Sequence, residues 1–177
     1  MNSPVVIATH IWPAGDAAPQ AVDSLKLTWG GAEGDRHFGE TMTSDTRTAK
    51  AYARGTTIRN HRQISIVDLG DLNTIAAAMG LAELAPGVIA DNICTSGIEN
   101  LTQLPAMSRL AFPSGAVIIT GGENLPCVIA GGLVGERYGT KPESFPKAAM
   151  GLRGITGWVD HPGTISPGDA ITIYPPL

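Results

Sequence analysis

Closely spaced turn residues divide the second half of the chain into short segments, and this spacing limits the folds that the chain can adopt. The 177 residues include 22 glycines and 13 prolines, which punctuate the chain at Pro86-Gly87, Ser96-Gly97, Pro105, Pro113-Ser114-Gly115, Gly121-Gly122, Pro162-Gly163 and Pro167-Gly168. Between these breaks lie five apolar segments: Ile89–Thr95, Ser108–Phe112, Ala116–Thr120, Ile155–Val159 and Ala170–Tyr174. Short strands between regular turns are typical of a β-barrel or a β-sandwich. The sequence therefore predicts a mostly β fold with a few short helices, of mixed α/β class.

Three more strands are predicted in the first half of the chain. Val5–Ile11 is a short, β-branched apolar run, and the stretch from Val22 to Trp29 alternates apolar and polar residues. Gln63–Val67 is again apolar and β-branched. Each pattern favours a strand over a helix because the runs are short and are bounded by turn residues.

Two helices are predicted from capping residues and apolar spacing. The first should begin with Asp68 or Asp71 as its cap and should end at Gly80 in the left-handed conformation. The second should span Ser144–Met150 with Ser144 as its cap. Because no repeat or linker interrupts the pattern, we expect one domain over residues 1–177.

The segment from Glu40 to His61 has no apolar periodicity and is rich in threonine and arginine. Six of the twelve Lys and Arg residues lie between positions 36 and 62, the basic zone, namely Arg36, Arg47, Lys50, Arg54, Arg59 and Arg62. The formal net charge is −4, so we expect an anionic small ligand and no nucleic acid. We expect a long functional loop that is poorly ordered until a ligand binds. A solvated polar loop without a ligand is the alternative.

Cysteine content and apolar run lengths indicate the compartment. Cys94 and Cys127 are far apart in sequence, which favours free thiols in a reducing compartment over a disulfide framework. No basic region precedes the short apolar run near the amino terminus, and no segment has the apolar length of a membrane span. We therefore expect a cytoplasmic protein with no membrane partner.

Cys127 is the strongest candidate for a chemically active residue. It follows a predicted strand and lies in a loop rich in glycine and proline, where the backbone can approach a ligand and nearby cations can favour the thiolate. Such a thiolate could act as a soft metal ligand or as a nucleophile. A small buried hydrophobic residue is the alternative for Cys127 and the favoured interpretation of Cys94. Phosphate-loop, dinucleotide, paired-cysteine zinc and serine-hydrolase motifs are absent from the sequence.

Two other short motifs contain residues that could bind an anion. The turn Gly34–His37 combines the carboxylate of Asp35, the guanidinium of Arg36 and the imidazole of His37. Lys147 lies on the second predicted helix, and Arg153 lies in the turn before the next strand. Each set could equally be an ordinary polar turn or a pair of solvated cations.

Taken in order, several segments resemble the MOSC family, named after the carboxy-terminal domain of molybdenum-cofactor sulfurases. Arg47 belongs to this match together with Gly34–His37, Gln63–Asp68, Pro86–Ile93, Gly97–Leu101, Leu125–Cys127, Lys147–Gly154 and Pro162–Asp169. Each segment is short and unspecific alone. Their order over about four-fifths of the chain makes the match specific, because several independent weak signals agree.

The resemblance implies a mostly β domain with a MOSC-like β-barrel core and one important cysteine, Cys127. In such proteins this cysteine binds the molybdenum of a molybdenum-pterin cofactor or carries sulfur as a persulfide. The residues that the resemblance implies around the cofactor are Asp35, Arg36, His37, Arg47, Asn92, Lys147 and Arg153. Of these, Arg36, Arg47, Lys147 and Arg153 are candidates for binding the phosphate of the pterin, and Asn92 is a candidate for orienting the cofactor. The chain has no room for the pyridoxal-phosphate desulfurase domain to which such modules are fused, so a redox or sulfur-donor protein should be separate.

Three functions follow as expectations. The leading one is a protein that binds the molybdenum-pterin cofactor through Cys127 and serves the reduction of N-hydroxylated compounds with a separate electron donor. The second is a sulfur carrier that holds a persulfide on Cys127 for transfer to a metal centre. The third is a non-catalytic module that binds an anion or a partner protein.

Overall fold

The computed structural model describes residues 3–177, and most of its regular structure is strand. The strands are β1 (Val5–Ile11), β2 (Gln20–Val22), β3 (Leu25–Thr28), β4 (Gly31–Ala32), β5 (Thr41–Thr43), β6 (Thr57–Arg59), β7 (Ile64–Asp68), β8 (Ile93–Ser96), β9 (Arg109–Ala111), β10 (Val117–Glu123), β11 (Ile155–His161), β12 (Gly163–Ile165) and β13 (Thr172–Tyr174). The helices are α1 (Leu69–Ala78), α2 (Val128–Tyr138) and α3 (Ser144–Ala148), with a 3₁₀ turn at Leu101–Gln103. The predicted class, mostly β with a few short helices, is confirmed.

Eight strands form one large mixed sheet in the order β13-β9-β10-β11-β7-β8-β1-β2. Only β7 and β8 run parallel within the described residues, and α1 lies between them in the chain. The strands β12-β3-β4 and β5-β6 form two smaller sheets. Val5 also pairs with Ala170, and Val6 N donates to Asp169 O at 2.9 Å. The large sheet therefore curls until β1 meets the segment that leads into β13, while a closed barrel stays a prediction.

Both faces of β7 and β8 are buried. Ile66 and Ile93 belong to an apolar cluster with residues of the β12-β3-β4 sheet, whereas Val67 and Cys94 belong to a second cluster with residues of the three helices. Successive side chains of a strand point to opposite faces, so the two clusters lie on opposite sides of these strands. Cys94 lies in β8 and has no exposed surface, so its predicted place inside a strand is confirmed.

The first predicted helix is confirmed, and the second is shorter than predicted. Asp68 is the cap of α1, since its Oδ1 accepts a hydrogen bond from Gly70 N at 2.9 Å, and Gly80 has a φ of +69° beyond its last turn. The hydroxyl of Ser144 donates to Lys141 O, so it does not cap α3. Within residues 3–177, every helix is too short or too polar to cross a membrane.

Helix α2 was not predicted from the sequence, which indicated a loop around and beyond Cys127. Gly131, Gly132 and Gly135 lower the intrinsic helix propensity of this segment. Two of them are required by packing: a methyl group on Gly131 would lie 2.1 Å from Pro142 O, and one on Gly135 would lie 2.7 Å from Thr140 O. The glycines therefore let α2 lie against the backbone that follows it, a contact invisible to local periodicity.

Two other predictions about the first half of the chain differ from the structure. The stretch from Val22 to Trp29 is not one strand, because the chain changes sheets between β2 and β3. The segment from Glu40 to His61 is not wholly irregular, since β5 and β6 pair within it. Its ordering by a ligand stays a prediction.

Candidate functional site

Cys127 lies in a cleft of about 370 Å³ between the basic zone and the start of α2. Six of the residues singled out in the sequence line this cleft: Arg36, His37, Arg47, Asn92, Cys127 and Arg153. They come from segments as far apart as 36–47 and 127–153, so the fold and not sequence proximity brings them together. Arg36, Arg47 and Cys127 line the same cleft, while their contacts with a ligand stay predictions.

The thiol of Cys127 is at the junction between a loop and a helix. Cys127 has an extended backbone and is the residue before the first turn of α2, and Gly131 N donates to its carbonyl oxygen at 3.1 Å. Its side chain forms no capping hydrogen bond and is half-buried. Sγ is therefore available to a ligand in the cleft.

Two guanidinium groups meet at the side chain of Asn124. Arg62 Nη2 donates to Asn124 Oδ1 at 3.2 Å, and Arg153 Nη1 donates to the same oxygen at 3.0 Å and to Leu125 O at 2.9 Å. Burial and the charges of Arg47 and Arg153 lower the pKa of Arg62 to about 10, although Asp45 and Cys127 act in the opposite direction. Burial likewise lowers the pKa of Arg153. The amide oxygen thus holds two like charges together beside Cys127.

Arg47 and Arg36 line the same cleft but are bound by other parts of the chain. Nε and Nη2 of Arg47 both donate to Asp45 Oδ2, and this hydrogen bonding lowers the pKa of Asp45 to about 2. Arg36 Nη2 donates to Pro13 O at 2.9 Å and to Gly15 O at 2.7 Å, and its guanidinium stacks on the Trp12 ring at 3.8 Å. The donors of Arg36 are thus largely used within the chain, whereas Arg47 is about half exposed.

Asp35 and Asn92 form a buried polar network behind the cleft. Asp35 Oδ2 accepts from Trp12 N at 2.8 Å and from Asn92 Nδ2 at 2.9 Å, and Oδ1 accepts from His37 N and lies 2.9 Å from His37 Nδ1. Burial raises the pKa of Asp35, but the hydrogen bonds from His37 and Trp12 outweigh burial and hold this pKa below its usual value. Asn92 Oδ1 accepts from Ser65 N at 2.9 Å. Asp35 therefore positions the cleft wall and is not among the residues that line it.

Lys147 differs from the other candidates. It is exposed on α3 and is not among the residues that line the cleft. Its role with a ligand stays a prediction.

Two lining residues that the structure brings forward, Arg62 and Asn124, were not singled out as site residues from the sequence. The sequence offered one signal for each: Arg62 belongs to the basic zone, and Asn124 precedes Cys127 by three positions.

The chain was also compared with known proteins. The family model of the MOSC domain matches residues 33–172. A Bacillus subtilis (strain 168) protein described as "Putative metal-sulfur cluster biosynthesis proteins YuaD" is 39% identical over 156 residues, which cover 86% of this chain and 81% of YuaD. The crystal structure of YuaD from Bacillus subtilis has a TM-score of 0.91 at 34% identity and covers 99% of this chain and 98% of its own. YiiM from Geobacillus stearothermophilus has a TM-score of 0.66 at 12% identity over 97% of this chain and 75% of its own, a likeness of fold alone.

Proposed function

The chain belongs to the MOSC domain family, and from this membership we propose that it binds a molybdenum-pterin cofactor in the Cys127 cleft. Cys127 Sγ would be the protein ligand of the metal, and the bound cofactor would serve the reduction of N-hydroxylated compounds with electrons from a separate protein. The observation that carries the proposal is one thiol and four guanidinium groups, those of Arg36, Arg47, Arg62 and Arg153, around a single cleft.

The donor set supports a metal that arrives with ligands of its own. Among residues 3–177, no group of three or more His, Cys, Asp and Glu side chains could hold a metal ion. A lone thiolate is therefore a poor site for a bare ion but a suitable soft ligand for a metal held mainly by its cofactor. A volume of about 370 Å³ also falls in the range of small-molecule sites.

The cationic side of the cleft supports a phosphate-bearing ligand. Guanidinium groups bind phosphate through two parallel hydrogen bonds, which an ammonium group cannot reproduce. The Nε atom of Arg153 is buried without a hydrogen-bond partner among the described residues. An unpaired buried donor is costly, and an oxygen of the ligand would satisfy it.

In this proposal the residues of the chain bind and orient, and the cofactor would supply two-electron exchange at its metal. Cys127, at the N-terminus of α2, would present Sγ at one end of the cleft. Asn124 holds Arg62 and Arg153 in place for the anionic end. Asp35 and Asn92 support the wall of the cleft, because the hydrogen bond between their side chains holds both in place.

A second function, sulfur transfer, is favoured by the half-buried thiol and by the description of YuaD as a putative metal-sulfur cluster biosynthesis protein. The Cys127 thiolate would attack the outer sulfur of a donor protein's cysteine persulfide. The new S–S bond would form at Cys127 as the donor's S–S bond breaks, and the donor cysteine would leave as its thiolate. The guanidinium groups that line the cleft would stabilise the attacking thiolate.

Elemental analysis and intact-protein mass spectrometry of protein from a molybdenum-replete host test both functions. The proposal expects molybdenum in the natural protein and in Cys94→Ala, and its loss in Cys127→Ser. A single added sulfur atom on Cys127 without molybdenum would favour the carrier. Equal molybdenum in the natural protein and in Cys127→Ser would contradict the role of Cys127.

A further inference from the structure

A second cavity, of about 440 Å³, lies at the other end of α2 from Cys127. Its walls come from β1, β2, the turn that follows α1, and the last turns of α2. Most of the lining is apolar and includes Pro19, Ala21, Ala85, Pro86, Val88 and Leu133. The polar side chains are those of His10, Glu136 and Arg137. None of these residues lines the Cys127 cleft.

His10 and Asp91 form a buried pair next to this cavity. The side chains of His10 and Asp91 are 8% and 2% exposed, and His10 Nδ1 lies 3.8 Å from Asp91 Oδ2. Neither atom has a hydrogen-bond partner among the described residues. Asp91 is fixed by its other oxygen, since Oδ1 accepts from Gly87 N at 2.8 Å. The carboxylate therefore faces the Nδ1 edge of the imidazole.

Gly87 lies against the opposite edge of the imidazole, where only a residue without a side chain fits. A methyl group on Gly87 would lie 2.5 Å from His10 Cδ2 and 2.7 Å from His10 Nε2, and Gly87 has a φ of +85°. Both the space and the backbone conformation therefore require glycine. His10 lines the cavity, and its Nε2, unlike Nδ1, is not sealed from solvent, so Nε2 is accessible from the cavity; it has no hydrogen-bond partner among residues 3–177.

The chemistry of this edge follows from the protonation state of the ring. Burial lowers the pKa of His10, so the imidazole is neutral at physiological pH. The nearby Asp91 carboxylate favours the tautomer with its proton on Nδ1. Nε2 is then a hydrogen-bond acceptor beside an apolar cavity.

We propose that this cavity is a second ligand site, which takes a compact, uncharged and largely apolar molecule through an O–H or N–H group that donates to His10 Nε2. The apolar walls bury the body of the ligand, and the unpaired acceptor selects for the donor. The charges also oppose an anion, because the carboxylates of Asp91 and Glu136 outnumber the one cation, Arg137.

Three small aromatic probes separate the possible modes of binding. Phenol carries the required donor, anisole has a methyl group in its place, and benzoate carries a negative charge. Binding is measured at pH 8 by calorimetry and by two-dimensional NMR of the ¹⁵N-labelled protein. We expect phenol to bind about tenfold more tightly than anisole, the value of one hydrogen bond to a buried group. The shifted resonances should be those of the residues around His10.

Two variants test the role of His10. His10→Phe keeps a flat ring but removes Nε2, so it should abolish the preference for phenol while anisole still binds. Ala21→Phe places a ring on the exposed strand opposite His10, and it should block both probes. Cys127→Ser should leave all three affinities unchanged, which separates this site from the cleft.

Four outcomes would overturn the proposal. They are equal binding of phenol and anisole, tighter binding of benzoate than of phenol, a preference for phenol that survives in His10→Phe, and the lack of saturable binding by phenol. If His10→Phe does not fold, Ala21→Phe decides the location, because phenol binding that persists in this variant places the site elsewhere.

Discussion

Asp35 and Asn92 are joined by a hydrogen bond of 2.9 Å between Asp35 Oδ2 and Asn92 Nδ2, although 57 residues separate them in sequence. Both residues belong to motifs that carry the resemblance to the MOSC family. Their side chains are buried and satisfy each other and the neighbouring backbone. The hydrogen bonds of Asp35 and Asn92 therefore support the wall of the cleft, which explains why the motifs contain both residues.

Replacement of Asp35 should destabilise the fold more than replacement of its partner His37. Asp35→Ala leaves the buried donors Trp12 N and Asn92 Nδ2 without an acceptor, and each costs about 1–3 kcal/mol. His37→Ala removes a half-exposed ring and should cost much less. Urea unfolding at pH 7 measures both. Equal small losses would contradict the supporting role of Asp35.

Asp91→Asn should stabilise the protein at neutral pH. Burial raises the pKa of Asp91 from 3.8 to about 6. Because the folded state binds this proton more tightly than the unfolded state, stability is highest below about pH 4 and falls as the pH rises through 6. The penalty at pH 8 is about 3 kcal/mol, and an asparagine oxygen can still accept from Gly87 N.

Urea unfolding at pH 4, 6 and 8 checks this. The stability difference between Asp91→Asn and the natural protein should grow with pH, and Asp16→Asn, at an exposed site, is the control. A difference that shrinks as the pH rises would contradict the prediction.

The two thiols should react at very different rates. Cys94 has no exposed surface, and burial together with the charges of Asp91 and Asp68 raises its pKa. Cys127 is half-buried at the cleft. Labelling of the folded protein with a maleimide should therefore modify Cys127 first, while Cys127→Ser should react only after denaturant is added. Rapid labelling of Cys94 in the folded protein would overturn the assignment.

Arg62→Lys should reduce the molybdenum bound per protein, whereas Lys147→Ala should not. Lysine cannot both hold Asn124 Oδ1 and present a two-pronged donor to a phosphate. Lys147 lies on α3, outside the residues that line the cleft. Elemental analysis of protein from the same host compares the two. Equal loss in both variants would indicate that charge alone, and not the cleft, determines binding.

Gly131 and Gly132 are adjacent in α2 but should respond in opposite ways to alanine. Gly131→Ala places a methyl group against the backbone of Pro142 and should cost several kcal/mol, whereas nothing lies within 4 Å of a methyl group on Gly132. Gly132→Ala should gain up to about 1 kcal/mol from helix propensity. Thermal unfolding monitored by circular dichroism distinguishes them, and destabilisation by both would contradict the packing argument.

Features that depend on local spacing could be predicted from the sequence, and features that depend on distant contacts could not. Asp68 as a cap and Cys94 within a strand follow from neighbouring residues. Helix α2 does not, because its glycines are explained by Thr140 and Pro142. The place of Arg62 depends on Asn124, which is 62 residues away. The order of the motifs indicated the family. Which of the cations face the cleft could be seen only in the folded chain.

Helix α2 contributes to both cavities, with Ile129 and Ala130 beside Cys127 at the cleft and with Leu133, Glu136 and Arg137 at the second cavity. Its rise of about 1.5 Å per residue separates the two sets by only a few turns. If a ligand in one cavity shifts α2, it can change the affinity of the other cavity for its own ligand. Thermodynamic reciprocity then requires that a ligand in the second cavity change the affinity of the first by the same factor. The close contacts of Gly131 and Gly135 with Pro142 and Thr140 would limit how far α2 can move, and so would limit the size of this coupling.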